Sequence, residues 1–262
     1  MARTFVVTSG KGGVGKTTLT ASLGRAFASM GEKTVALDAD LGLNNLDVLL
    51  GIDSRIVYDI VDVAEGKCRM KQALVRDTDE PELYVLPGAH SYDRTAIDAQ
   101  SMREIVGRLA RSFDIVLVDC PAGIEAGFRR AVGACDEAVL VTTPHISSVR
   151  DAETVLTLLR QNGMTHIYTA VNRVRGDLVL SGEMLSRCDV ERLLGTEVYG
   201  MIPEDDGMNL MSNSFDQGLS AGQSACAALA RGILSGSPEV FDLTKKYRGL
   251  FGGLKRRMKR RL

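Results

Sequence analysis

The five cysteines of this 262-residue chain, Cys68, Cys120, Cys135, Cys188 and Cys226, include no C-x-x-C pair, and no histidine stands at metal-ligand spacing from them. This excludes a zinc site or an iron–sulfur cluster of the usual ligand spacings and reads as free thiols in a reducing compartment. No apolar run approaches the roughly 20 residues of a membrane span, and the sequence passes directly into a strand-like segment, so it reads as neither secreted nor transmembrane. Internal repeats and low-complexity tracts are lacking. Apolar residues at 45% and charged residues at 25% exclude a disordered or fibrous chain, and the length suffices for one large α/β domain with a buried core.

One further lack is local. The stretch 243–262 holds no acid and nine basic residues, which leaves 23 basic against 33 acidic residues in 1–242. The chain therefore divides into an acidic body, 1–242, and a flexible basic tail, 243–262.

What the sequence does contain is organised around Gly10-Lys11-Gly12-Gly13-Val14-Gly15-Lys16-Thr17-Thr18. The residues before it, Thr4-Phe5-Val6-Val7, suit a buried strand, and Leu19 to Met30 suit a helix, which is the order a phosphate-binding loop requires. The backbone must curl round a phosphate with its N–H groups pointing inward, and glycine permits this because it has no Cβ. The positive end of the following helix adds to the attraction. Lys16 is placed to reach the β- and γ-phosphates of a nucleotide as a point charge, and the Thr17 hydroxyl to complete the coordination of Mg²⁺.

Two further strand ends carry acids. Lys33–Leu37 runs into Asp38-Ala39-Asp40, and Phe113–Val118 into Asp119. In a parallel sheet these carboxylates sit at the carboxyl edge beside the phosphates. One of Asp38 and Asp40 can hold Mg²⁺ through water while the other orients an attacking water, and Asp119 holds the metal in the same indirect way. Apolar segments at 83–88, 138–142, 167–171 and 198–203 continue the alternation, with a helix from about Val149 to Gln161 between two of them. The expected fold is α/β: a mostly parallel sheet of seven to eight strands with helices on both faces. Residues 51–80 carry no assignable chemistry.

The second lysine of the loop, Lys11, makes Lys-Gly-Gly-Val-Gly-Lys-Thr-Thr resemble the deviant Walker A motif of the MinD/ParA ATPases. Asp38 to Asp47, Asp119-x-Pro121-Ala122-Gly123-Ile124-Glu125 and Ser147-Ser148-Val149-Arg150-Asp151 resemble that family's division-site regulators. The resemblance implies an ATP-bound homodimer in which Lys11 crosses to the other subunit's phosphates. It further implies that Asp40 positions the attacking water, that Asp38 and Asp119 serve the Mg²⁺ shell, that Thr18 contacts phosphate, and that Asn172 and the segment after Pro203 hold adenine. Partners implied are a division inhibitor and a topological factor that stimulates hydrolysis. Cys120 stands where many relatives have Ser.

The tail can be read independently of the family. At about 100° per residue, Tyr247, Leu250, Phe251, Leu254, Met258 and Leu262 fall within one arc of about 120°, while most of the basic residues, Lys255 and Arg256 among them, lie opposite. This is the pattern of a helix lying in an anionic membrane interface. The apolar stripe argues against nucleic acid as the tail's partner. Ordering the segment costs most of what burial returns, so one tail binds weakly and two on a dimer gain avidity of about 10²- to 10⁴-fold. The expectation is a cytoplasmic ATPase, peripherally attached to the inner face of the membrane, that regulates septum placement. The alternatives are a flagellar-number regulator of the same family, a ParA-type DNA-partitioning ATPase, and a nucleotide-binding scaffold without useful hydrolysis.

Overall fold

The computed structural model describes residues 2–40, 45–89, 97–205, 208 and 219–248. In chain order the elements are β1 (Arg3–Thr8), α1 (Lys16–Ser29), β2 (Thr34–Asp38), α2 (Leu46–Leu50), α3 (Ile60–Ala64), α4 (Met70–Ala73), β3 (Val75–Arg76) and β4 (Leu83–Leu86). They continue with α5 (Ala99–Leu109), β5 (Ile115–Asp119), α6 (Ala126–Val132), β6 (Glu137–Thr142), α7 (Ile146–Gln161), β7 (His166–Val174), α8 (Gly176–Leu180), α9 (Arg187–Leu194), β8 (Val198–Pro203) and α10 (Ala221–Ser235).

The strands form one eight-stranded sheet in the order β3-β4-β2-β5-β1-β6-β7-β8, parallel except where the short edge strand β3 runs against β4. The expected sheet is therefore present. Its eighth strand lies in the 51–80 stretch, where only two residues pair and the periodic signal is too short to read. Side chains alternate between two cores. Phe5 and Val7 of β1, with Leu117 of β5 and Val139 of β6, pack on one face with α1 and α10. Val6, Val118 and Leu140 pack on the other face with α5, α6 and α7. A strand buried on both sides needs apolar residues at every position, hence the unbroken runs.

The helix starts follow from local chemistry. The Asp98 carboxylate accepts the Ser101 N–H at 2.7 Å to cap α5, and Ser220 with Gln223 forms a reciprocal cap at α10. Helices α1 and α7 begin three residues earlier than the apolar periodicity predicts, at Lys16 and Ile146; the first turn of α1 carries the polar Lys16, Thr17 and Thr18, which an apolar period does not count.

The root of the tail departs from expectation. Leu243 and Tyr247 are buried, and a short 3₁₀ turn, Lys245–Tyr247, packs on the body. At Gly176 a Cβ would lie 2.5 Å from the Leu243 carbonyl oxygen and 3.2 Å from Tyr247 Cε2, so glycine is what lets the strap lie this close. Tyr247, expected in the flexible tail and at a membrane, is here buried beside Gly176 and lines the cavity under the strap. Leu250, Phe251, Leu254, Lys255, Arg256 and Met258 lie outside the described residues. Among the described residues no helix is long and apolar enough to cross a membrane.

Candidate nucleotide-binding site

The glycine loop leaves β1 at the centre of the sheet, where β1 lies between β5 and β6 and the chain's crossovers diverge to the two sides. Such a switch point opens a crevice at the carboxyl ends of parallel strands. Gly13 at φ 76° and Gly15 at φ 93° take the left-handed conformation that a Cβ disfavours, and Gly15 is the residue from which α1 starts. Buried Ser9 donates its hydroxyl to the Lys11 carbonyl at 2.8 Å, which fixes the Lys11 backbone while its side chain stays exposed. Val14 anchors the crown of the loop in the α1 core.

Two contacts hold the loop from the side. A Cβ at Gly10 would run into the Asp151 carbonyl in the first turns of α7, so the loop's first glycine is a packing requirement. The Asn172 amide at the end of β7 donates to the Val14 carbonyl at 2.8 Å, and a Cβ at Gly15 would collide with the same amide nitrogen. The resemblance assigns Asn172 to adenine, and the structure gives it this second task. Neither Asp151 nor the Asn172 clamp is visible from the loop motif, since both are contacts across about 140–160 residues of chain.

Lys16 is 8% exposed at the first position of α1. Beneath it Asp38 and Asp119 stand side by side at matching register on β2 and β5, each 2% exposed. Burial, then the neighbouring Asp119, push the Asp38 carboxyl well up, even though it accepts the backbone N–H groups of Asp40 at 2.9 Å and Leu46 at 3.4 Å. Asp119 is pushed up to about 6, chiefly by burial, against hydrogen bonds from Thr17 and Thr20 and the charge of Lys16. Two buried carboxylates that resist ionisation together, beside a phosphate loop and in reach of the Thr17 hydroxyl, fit a divalent cation that would let both ionise. Among the described residues no group of three or more His, Cys, Asp or Glu could hold a metal; a Mg²⁺ here would draw its other ligands from hydroxyl, phosphate and water. The half-buried Asp40 stands two residues past the end of β2, its backbone fixed by Asp38. The Cys120 thiol, next to Asp119, is raised by burial to about 12 and is chemically quiet.

Beside the loop a cavity of about 280 Å³ is lined by Gly15, Thr18, Asn172, Arg173 and Pro203. The residues expected to meet phosphate and adenine are thus brought to one place. A larger cavity, about 470 Å³, lies under the C-terminal strap and shares only Pro203 and Glu204 with it. It touches no residue of the phosphate loop, so the smaller cavity belongs to the site.

A phosphate loop at the switch point of a parallel sheet, with paired acids at the ends of the flanking strands, defines a P-loop nucleotide-binding protein. Residues 5–215 match the model of the CobQ/CobB/MinD/ParA nucleotide binding domain. The chain is 42% identical over 263 residues to the septum site-determining protein MinD of Synechocystis sp., an alignment covering 98% of this chain and 99% of that protein. Among solved structures it resembles MinD in the Aquifex aeolicus MinC:MinD cell division protein complex, with TM-score 0.81, 40% identity, and coverage of 89% of this chain and 96% of that one. It also resembles the septum site-determining protein MinD complexed with Mg-ADP from Pyrococcus horikoshii, with TM-score 0.79, 31% identity, and coverage of 90% and 98%. The chain belongs to the MinD family of septum site-determining proteins, within the CobQ/CobB/MinD/ParA group. It is a P-loop ATP hydrolase with ATP and Mg²⁺ as cofactors, and its broad role is division-site regulation.

Proposed function

We propose that the protein is a nucleotide-driven switch in which ATP pairs two copies face to face, and the pair presents two C-terminal tails to an anionic membrane. Hydrolysis to ADP then returns it to the unattached monomer. The observation that carries this reading is Lys11. Its backbone is pinned by Ser9, yet its side chain is exposed at the rim of the loop and pairs with no carboxylate among the described residues. A lysine so held is available to the phosphates of a second copy.

In this reading the loop N–H groups of Gly10, Gly12, Gly13, Val14 and Gly15 cradle the phosphates, Lys16 and Thr18 bind them directly, and Thr17 supplies the protein's hydroxyl to Mg²⁺. Asp38 and Asp119 would hold the cation through water, and the cation would supply charge neutralisation to the phosphates. Asp40 orients the attacking water, and Lys11 from the other copy offsets charge developing on the transferred group. Asn172 and Pro203 border the adenine. The MinC:MinD complex of the Aquifex relative supports a division inhibitor of that kind as a partner of the dimer. A topological factor that stimulates hydrolysis would act on the same state.

Liposome sedimentation with phosphatidylglycerol-containing vesicles tests the membrane step. Pelleting with ATP should exceed pelleting with ADP and should be lost on removing residues 249–262. Equal pelleting in both nucleotides, or pelleting undiminished by the truncation, would sink this reading. ATP-dependent retention of DNA without lipid binding would favour the partitioning alternative instead.

A further inference from the structure

We propose that Thr20 is a positioning residue: its hydroxyl fixes one oxygen of the Asp119 carboxylate against α1 and leaves the other to the water shell of the cation. This deepens the ATP and Mg²⁺ reading above and rests on it. Thr20 is fully buried in the second turn of α1. A threonine there does little for the helix itself, because its branched side chain is stiff and its hydroxyl needs a partner away from water.

The hydroxyl has two neighbours. Thr20 Oγ1 lies 3.0 Å from the Lys16 carbonyl oxygen and 3.2 Å from Asp119 Oδ1. The first contact is the one a helical threonine makes with the carbonyl four residues earlier. The second joins the helix to the end of β5, 99 residues further along the chain. A hydroxyl has one hydrogen to give, and a charged carboxylate is the stronger acceptor of the two. With Asp119 charged beside a cation, the Thr20 hydroxyl therefore donates to it. Lys16 and Thr20, four residues apart, share one face of α1, so the phosphate-binding lysine and the anchor of the acid beneath it belong to one rigid element.

Asp119 also takes a hydrogen bond from Thr17, yet the two hydroxyls are not interchangeable. Thr17 is half-buried, and its oxygen is the one assigned to Mg²⁺, so its placement depends on whether the cation is there. Thr20 has no surface open to the site and anchors Asp119 whether the site is empty or filled. The neighbouring acid is fixed by other means, since Asp38 accepts the backbone N–H groups of Asp40 and Leu46. Side-chain hydroxyls do for Asp119 what the backbone does for Asp38.

The test is calorimetric titration of the full-length protein with ADP at stepped Mg²⁺ concentrations. It compares the wild type with Thr20→Val, which replaces the hydroxyl by a methyl group, and with Thr20→Ser, which keeps the hydroxyl. Thr20→Ala, a better helix former, repeats the loss of the hydroxyl without a branched side chain. In Thr20→Val and Thr20→Ala the Mg²⁺ concentration giving half of the gain in ADP affinity should rise by about 3- to 30-fold. ADP affinity without Mg²⁺ should stay within about twofold of the wild type, and Thr20→Ser within about twofold on both measures. An unchanged Mg²⁺ requirement in Thr20→Val and Thr20→Ala, or an equal rise in Thr20→Ser, would overturn the positioning role. So would a fall in ADP affinity of the same size with and without Mg²⁺. A wild type whose ADP affinity ignores Mg²⁺ would bring down the cation reading itself and this proposal with it.

Discussion

Asp38 and Asp119 end adjacent parallel strands at the same register position, so two carboxyl groups meet in an almost water-free crevice beneath the phosphate loop. Neither ionises readily without compensating charge. The site is built to be incomplete in the absence of a cation, and that incompleteness appears as a stability cost of the empty protein.

The pH dependence of that cost has a definite sign. A carboxyl whose folded pKa lies above its unfolded value holds its proton more tightly in the folded state. For Asp119 this favours folding at low pH, and the advantage is lost as pH rises from about 4 to about 6. Asp119→Asn should therefore raise the ligand-free melting temperature at pH 7 by a few degrees and flatten the profile across that window. It should also abolish the extra stabilisation that Mg²⁺ gives to ADP. Scanning calorimetry at pH 4.5 and pH 7, with and without Mg-ADP, measures all three.

Asn172 has a structural task separable from any contact with the base. Asn172→Ala leaves the buried Val14 carbonyl without its amide partner, which should cost about 1–3 kcal/mol in ligand-free urea denaturation. It should also weaken pyrophosphate binding, because the loop loses its brace. A residue serving adenine alone would leave both measurements unchanged.

At the other end of the chain, Tyr247 belongs to the body. Tyr247→Ala removes a ring packed beside Gly176 and should destabilise the fold by about 2–4 kcal/mol. Truncation after Arg248 should leave the denaturation midpoint unchanged, so paired urea titrations of the two variants locate the boundary between body and tail.

Much of this was legible in the chain itself because it depends on local pattern. The glycine loop between an apolar strand and a helix, and the acids closing Val35–Leu37 and Ile115–Val118, mark the crevice and its chemistry without reference to the rest of the fold. The sheet follows from repeated apolar runs, except for β3, whose two residues are too few to show a period. Contacts between distant segments were out of reach. Nothing near Gly10 announces the Asp151 backbone, and nothing near Gly15 announces the Asn172 amide. Tyr247 misled for a related reason: it fits the apolar arc of a tail helix by spacing, but Gly176, 71 residues earlier, leaves room for its ring on the body.

The central claim is that nucleotide state sets pairing through Lys11, and sedimentation velocity of wild type, Asp40→Ala and Lys11→Ala/Asp40→Ala with Mg-ATP or Mg-ADP tests it most directly. On the role proposed for Asp40, Asp40→Ala should keep ATP intact during the run, which phosphate release from the same sample checks. The account predicts an approximate doubling of mass for Asp40→Ala with ATP and none with ADP. It predicts a monomer in both nucleotides once Lys11 is also removed, with ATP still bound. An ATP dimer that survives the loss of Lys11, or one that forms equally well with ADP, would contradict it.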